Sequence, residues 1–262
     1  KTLHLLERND DLRIGEATGY AHFTIPMRTD TPPFDNNDVR LALKLAFDRD
    51  AMLQNVLRGH GNLGNDHPIS PANRYYASDL PQRGYDPDRA KFHLKQAGLS
   101  ELTVPLHAAD AAFGGAVDAA LLYQENAKAA GISIDVVREP NDGYWSNVWM
   151  QKPWCMCYWS GRPTEDQMFS TAYAQGASWN DTFWENEPFN KLLLEARAEL
   201  DDEKRRAMYV EMQRLLSDEG GVVVPMFNNY IFAMSKNVEH PETVGGDGDL
   251  DGNRILERWW IA

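Results

Sequence analysis

Apolar positions alternate with polar ones in two short stretches of this chain, Leu102, Val104 and Leu106, and Ile132, Ile134 and Val136, while the uncharged run Trp154-Cys155-Met156-Cys157-Tyr158-Trp159 alternates in bulk as a buried strand would. A period of two is the pattern of strands with one or both faces buried. Tyr20 to Met27 reads as a further strand, and Val222-Val223-Val224-Pro225-Met226-Phe227 as a buried one whose Pro225 belongs at an edge or crossing point. Between the strands the period lengthens to that of helices. Val39, Ala42, Leu43, Ala46 and Leu53 mark one face of a long helix that ends at Gly59, with Asp38 as the expected N-cap and Asp35, Asn36 and Asn37 competing for the role. Asp86-Pro87-Asp88-Arg89 is a strong helix start, with Asp86 at the N-cap and Pro87 at N1, and Gly98 closes that helix. Val117 to Ala130 is a helix stopped by Gly131. Asn141 or Asp142 should cap a short helix bearing Trp145 and Trp149. Phe189, Leu192, Leu193, Ala196 and Leu200 give one more apolar face, and Met208, Met212, Leu215 and Leu216 another. Strand, helix, strand, helix, strand between 102 and 159 predicts an α/β domain with a mostly parallel sheet and right-handed crossovers.

The long stretch 59–84 is rich in Gly, Pro and Asn and carries His60 and His67, expected here as solvent-exposed loop residues. Cys155 and Cys157 lie two apart, on one face of a strand and too far apart for an easy disulfide, so two reduced, buried thiols are expected. Composition fits a soluble globular protein, with 43% hydrophobic and 25% charged residues. The formal net charge of −13 argues against a nucleic-acid or anionic-membrane partner. No apolar run approaches a membrane span and the first residues do not form a signal peptide, so the chain is expected to be a mature protein or a fragment.

Candidate chemistry concentrates after the Trp154–Trp159 strand. The strand stops at Ser160-Gly161, a single cation, Arg162, follows, and Pro163 fixes the outgoing backbone. Gly161 would let a ligand approach the main chain, and Arg162 could grip a carboxylate or phosphate through two parallel hydrogen bonds. The plainer alternative is a strand and turn with Arg162 salt-bridged at the surface. Six of the eight tryptophans fall between 145 and 184, which marks this half for a groove unless they only fill the core. Asp247-x-Asp249-x-Asp251-Gly252 is the front of a calcium loop, but Arg258 stands where the bidentate Glu belongs, which favours an acidic turn. No hydrolase, zinc-protease or phosphate-loop spacing is present. A hydrolytic or metal-dependent enzyme without a recognised motif is the alternative reading.

Four motifs in order carry a resemblance. Pro33-Phe34-Asp35-Asn36-Asn37-Asp38-Val39-Arg40-Leu41-Ala42-Leu43 with Ala46-Phe47-Asp48-Arg49, then Asp86-Pro87-Asp88-Arg89-Ala90-Lys91 with Leu94 and Ala97-Gly98, then Glu187-Pro188-Phe189-Asn190 with Leu192-Leu193 and Ala196, then Arg206, Tyr209, Gln213 and Pro225, resemble the peptide/nickel/opine class (family 5) of ABC-importer solute-binding proteins. The resemblance implies lobe II of a bilobed periplasmic-binding-protein fold (type II, cluster C). Residues 1–27 would be a lobe I remnant and first hinge strand, 28–221 the lobe II α/β domain, and 222–262 the second hinge strand and C-terminal return to lobe I. It further implies capture of a small solute (a peptide, opine or related carboxylated compound) and delivery to an ABC permease, outside the cytoplasm and at the membrane through that permease. The partners implied are the ligand, the permease and a missing N-terminal lobe. No catalysis, cofactor or metal is implied. Peptide receptors of this family place a Trp-x-x-Asp run against the peptide amine; Trp159-Ser160-Gly161-Arg162 occupies that place here with the charge reversed. The ligand site expected is therefore Trp159, Ser160, Gly161 and Arg162, with Tyr158 and Trp145 as stacking walls and Asp166 as a nearby amine partner.

Overall fold

The computed structural model describes residues 3–262. One mixed sheet runs through its centre. β2 (His22–Pro26) is the middle strand, flanked antiparallel by β6 (Cys157–Trp159) on one side and by β7 (Val222–Val223) and β8 (Met226–Asn228) on the other, with β3 (Gly61–Leu63) beyond β8. A parallel bridge between His107 and Cys155 joins this set to β4 (Leu102–Ala108), which pairs in parallel with β5 (Ile132–Arg138) over seven residue pairs from Leu102 to Ala108. The expected parallel packing therefore holds where α5 (Ala116–Lys128) supplies a crossover between β4 and β5. The sheet as a whole is mixed and not mostly parallel, because β2 and the returning β7 and β8 cross it in opposite directions. Only Cys157–Trp159 of the aromatic run is regular strand; Trp154 and Cys155 hold single bridges to Met27 and His107.

After a single-turn first helix, α1 (Leu3–Leu6), the predicted long helix is two helices, α2 (Asn37–Leu45) and α3 (Arg49–Val56). Asp48 breaks it by capping the second, accepting from the Ala51 amide at 2.9 Å. The cap of α2 is Asn36, not Asp38: its side chain accepts from the Asp38 amide at 2.8 Å, while the Asp38 carboxylate faces His93 at 2.7 Å. Asp86 caps α4 (Pro87–Gln96) as expected, with Pro87 in the first turn. The short helix α6 (Tyr144–Asn147) starts instead at Gly143, in left-handed backbone at φ 72°, because Asn141 spends its side-chain oxygen on the Ala111 amide. After α7 (Glu165–Ala172), Asn186 caps α8 (Glu187–Ala198) at the Phe189 amide. Leu200 lies beyond α8 and is 92% exposed, so it is no part of the helix face. The final long helix is α9 (Asp202–Glu219).

Two cores flank the sheet. One gathers α2, α4, β4, α5 and β5 around Trp154 and Tyr123; the other gathers α7, α8 and α9 around Phe169, Phe189 and Met212. A small third cluster, Ala17, Phe232 and Met234, sits on a separate antiparallel ladder of β1 (Leu12–Ala17) with β9 (Tyr230–Ser235). Both cysteines are free and buried, and burial pushes both thiols up, which keeps them protonated.

The stretch 59–84 is a solvent loop only in part: His60 stays partly exposed, paired with Glu16 at 3.1 Å, but the run around His67 does not. Residues 64–70 are buried, and His67 is fully so. Asp66 organises it: its carboxylate accepts from Arg49 Nη2 at 2.7 and 2.8 Å and from the Val224 amide at 3.0 Å, and it forms an ion pair with Arg83, whose Nε lies at 2.9 Å. Arg83 continues to the Ser217 carbonyl, and buried Lys44 donates to the carbonyls of Ser217 at 2.8 Å and Gly220 at 2.7 Å. The end of α9, where helix carbonyls have no partner of their own, is thus closed by cations. Asp66→Asn should therefore cost about 3–5 kcal/mol, the loss for stranding a buried charge. Arg74→Ala at the exposed pair with Asp202 should cost no more than about 1 kcal/mol. Urea midpoints of the two variants check the contrast, and equal midpoints would contradict it.

His22 and His67 are fully buried, and burial lowers both to about 4 from 6.5. Between those values the unfolded chain binds more protons than the folded one. The stability their neutral rings contribute is complete above about pH 6.5 and is lost as pH falls through about 4, on the order of 2–3 kcal/mol per ring. Urea titrations at pH 7 and pH 4 should show this loss, reduced in His67→Phe; a pH-independent midpoint would contradict it.

Candidate functional site

The end of β6 separates two concavities. On one side lies a groove of about 340 Å³ lined by Trp145, Trp149, Trp159, Trp179, Tyr158 and Arg162. On the other lies a larger cleft of about 810 Å³, walled by Phe23, Phe113, the end of α3 and Asn228 to Ile231. Tyr158 and Ser160 line both. Phe23 and Phe113 stack at 4.0 Å and 18° on the cleft side.

The groove draws its aromatic rings from separate segments. Trp145 stands on α6 and Trp149 just beyond it; Tyr158 and Trp159 come from β6; Trp179 comes from the irregular stretch before α8. Trp149, Trp159 and Trp179 meet in a triangle with centroids 6.1–6.5 Å apart, and Trp145 adds edges to Trp149 at 6.1 Å and Tyr158 at 5.6 Å. All but the tilted Trp159–Trp179 pair, at 49°, are edge-to-face contacts of the kind aromatic quadrupoles favour. Trp159 is buried as the floor, whereas Trp145, Tyr158 and Trp179 remain 41%, 44% and 50% exposed as the rim. Beneath them lies Asp181, fully buried, whose Oδ2 accepts the Trp149 indole N–H at 2.9 Å. Burial raises its carboxyl to about 6, against the opposing pull of the Trp149 and Trp159 indoles and the Cys157 thiol.

Arg162 Nη1 donates to the Ser160 carbonyl at 2.9 Å, to Ser160 Oγ at 3.1 Å and to the Gly161 carbonyl at 3.1 Å. Its guanidinium carbon lies 5.9 Å from the Trp159 ring centre. No carboxylate pairs with it among the described residues, so the surface salt-bridge alternative finds no partner there. The Nε–Nη2 edge makes no hydrogen bond among the described residues, and a guanidinium edge of this kind can hold a planar anion through two bonds.

The structure thus brings Trp145, Tyr158, Trp159, Ser160 and Arg162 together. It does not bring Asp166 in. That carboxylate lies in the first turn of α7 and takes Arg197 Nε at 2.8 Å and the Ser170 hydroxyl at 3.0 Å. Gly161 also has a different duty from the one its sequence suggests: a Cβ there would fall 2.1 Å from Tyr20 Cβ and 2.9 Å from the Tyr20 carbonyl carbon. The glycine admits the neighbouring chain, not a ligand. Trp149, Trp179 and Asp181 were not singled out as site residues from the sequence. The crowding of tryptophans between 145 and 184 was the signal for the first two; nothing local marks Asp181. At the acidic turn, Asp251 points inward to Arg258 Nη1 at 2.7 Å and the Gly245 amide at 2.6 Å. Among the described residues no group of three or more His, Cys, Asp or Glu could hold a metal ion.

Residues 2–181 match the family model described as "Bacterial extracellular solute-binding proteins, family 5 Middle", and the chain belongs to that family. It is similar to a probable di/tripeptide-binding protein 5 of Pseudomonas aeruginosa (strain UCBPP-PA14), 24% identical over 95% of this chain and 48% of that protein. It is also similar to the dipeptide-binding protein of Escherichia coli (strain K12), 26% identical over 91% of this chain and 44% of that protein. Among solved structures, HbpA2 from Haemophilus parasuis superposes with a TM-score of 0.85 at 18% identity, over all of this chain and 52% of that one. The fold is therefore that of the bilobed periplasmic binding proteins, and the chain spans about half the length of the curated relatives it matches. The family is one of solute-binding proteins and not of enzymes. No helix among the described residues is long and apolar enough to cross a membrane.

If Gly161 serves packing, Gly161→Ala should lower stability by about 1–3 kcal/mol with no ligand present. A thermal or urea melt of the unliganded variant measures it, and an unchanged midpoint would return Gly161 to a ligand role.

Proposed function

We propose that this chain is the second-lobe part of an extracytoplasmic receptor that captures a small anionic solute and passes it to an ABC permease, without chemistry of its own. The observation that carries the reading is the Nε–Nη2 edge of Arg162, held at the end of β6 beside an aromatic groove and without an acidic partner among the described residues. A carboxylate or phosphate on that edge makes a charge-assisted, two-bond contact. A free peptide amine would meet repulsion there, and Asp166 is already engaged by Arg197. Peptides bound through a carboxylate, opines and related carboxylated compounds fit; the names of the di/tripeptide-binding and dipeptide-binding relatives support the peptide class.

The same reading divides the chain at its crossings: residues 1–27 and 222–262 belong with a first lobe and its hinge, and 28–221 form lobe II. Supporting this, the β1–β9 ladder has two strands among the described residues, and Leu5, Leu6, Ile231, Leu256, Trp260 and Ile261, all within 1–27 or 222–262, lie exposed. An isolated two-stranded ladder is marginal in water, so a covering lobe suits it. Binding by this chain alone should be weak, because the opposing lobe's contacts are what offset the cost of association.

Thermal-shift screening of matched anionic and cationic solutes should give its stabilising hits among carboxylates and phosphates. For such a hit, Arg162→Ala should weaken calorimetric affinity by about 2–5 kcal/mol. Unchanged affinity would remove Arg162 from the site.

A further inference from the structure

We infer that the groove beside Arg162 selects a flat aromatic body, so that the ligand class is an aryl carboxylate: an aromatic ring or side chain with its anionic group on the Nε–Nη2 edge. The inference rests on the proposed anionic reading and adds the shape of the rest of the ligand. Core packing does not explain the arrangement. Trp145, Tyr158 and Trp179 are each exposed by two-fifths or more, yet they converge from three segments on one concavity. Large rings held half out of water at one place are an interaction surface, not filler.

The geometry argues for flatness. Trp149, Trp159 and Trp179 pack on one another at interplanar angles of 49–70° and Trp145 stands 77° from Trp149, so the groove is bounded by rings set at an angle to each other. A planar guest can present its face to one wall and its edge to the next, where a bulky aliphatic guest gains only contact area. The groove's volume, about 340 Å³, lies at the small end for ligand sites, enough for one ring system and its acid group.

The walls are fixed in advance. Asp181 Oδ2 holds the Trp149 indole at 2.9 Å from below. Arg162 is fixed through Nη1 to its own turn, so the edge it offers keeps one orientation beside the groove. Charge complementarity then places the acid at the Arg162 end and the ring against Trp179 and Trp145.

The test uses the 262-residue chain labelled at its tryptophan indole nitrogens and three probes: indole-3-acetate, cyclohexylacetate and tryptamine. Indole-3-acetate should move the Trp145, Trp149 and Trp179 indole signals saturably, with roughly millimolar affinity. Cyclohexylacetate should bind about 5–10-fold more weakly, the increment of a stacked face. Trp179→Ala should erase that difference; Trp179→Leu, which keeps apolar bulk, should erase it too while the remaining indole signals report an intact fold. If indole-3-acetate and cyclohexylacetate bind equally and both are lost in Arg162→Gln, the aromatic inference is overturned and the anionic reading stands. If tryptamine binds more tightly than indole-3-acetate, both are overturned. An absence of saturable shifts with indole-3-acetate up to about 10 mM would overturn the inference as well.

Discussion

A carboxylate with no access to water fixes this structure. Asp66 is fully buried, and burial alone would push it toward the neutral acid. Arg49 and Arg83 outweigh that and hold it below the usual carboxylate range. Each partner arrives from a different element: Arg49 from the start of α3, Arg83 from the far end of the stretch 59–84, and the Val224 amide from the returning chain between β7 and β8. A buried ion pair adds little net stability against an apolar substitute, but it tolerates few alternative arrangements, since any other leaves a charge stranded. Arg83 and Lys44 extend the network to the carbonyl end of α9. The returning strands, the long helix that feeds them and the α2–α3 pair are thereby set in one relation.

That frame presents β2 and β6 to the site. β2 pairs with β6 from His22 to Thr24 and with the returning strands through His22, Ile25 and Pro26. β6 therefore ends beside Tyr20, close enough that only glycine fits at position 161. Just past Gly161, Arg162 bonds back through Nη1 to the carbonyls of Ser160 and Gly161, and its Nε and Nη2 make no hydrogen bond among the described residues. An aspartate in that place, as in the pattern this chain resembles, would offer an acceptor where Arg162 offers paired donors. On the proposed reading, that reversal would change the charge of the ligand held at the strand end, with β6, Gly161 and the Trp159 floor as they stand here.

Much of this was legible in the sequence. The α/β class, the strands at Leu102 and Ile132, the Asp86 cap, the buried thiols and the family resemblance all rest on local spacing, and local spacing survives folding. What was not legible depended on contacts distant in sequence. The break between α2 and α3 follows from Asp48 capping one helix while Arg49 turns to Asp66. His67 is buried, although its neighbours read as loop, because Asp66 pulls the stretch inward against Val224. The antiparallel partners of β2 come from opposite ends of the chain, and alternation of apolar residues carries no direction. At the site, Arg162 and the Trp159 floor were readable from one run of residues. Trp179 was signalled only by the crowding of tryptophans and Asp181 by nothing, since the irregular stretch that carries them has no period to place it. Asp166 looked available because its partner Arg197 lies a helix away.

The charge reversal at Arg162 is the claim on which the functional account turns, and a pair of ligands differing in one group tests it most directly. Calorimetric affinities of a dipeptide and its N-acetylated form, measured on the receptor with both lobes present, report whether a free amine is wanted at the end of β6. The account expects the acetylated form to bind at least as tightly, with the carboxylate retained as the essential group. Loss of binding on acetylation would show that the amine is recognised after all and would contradict the account.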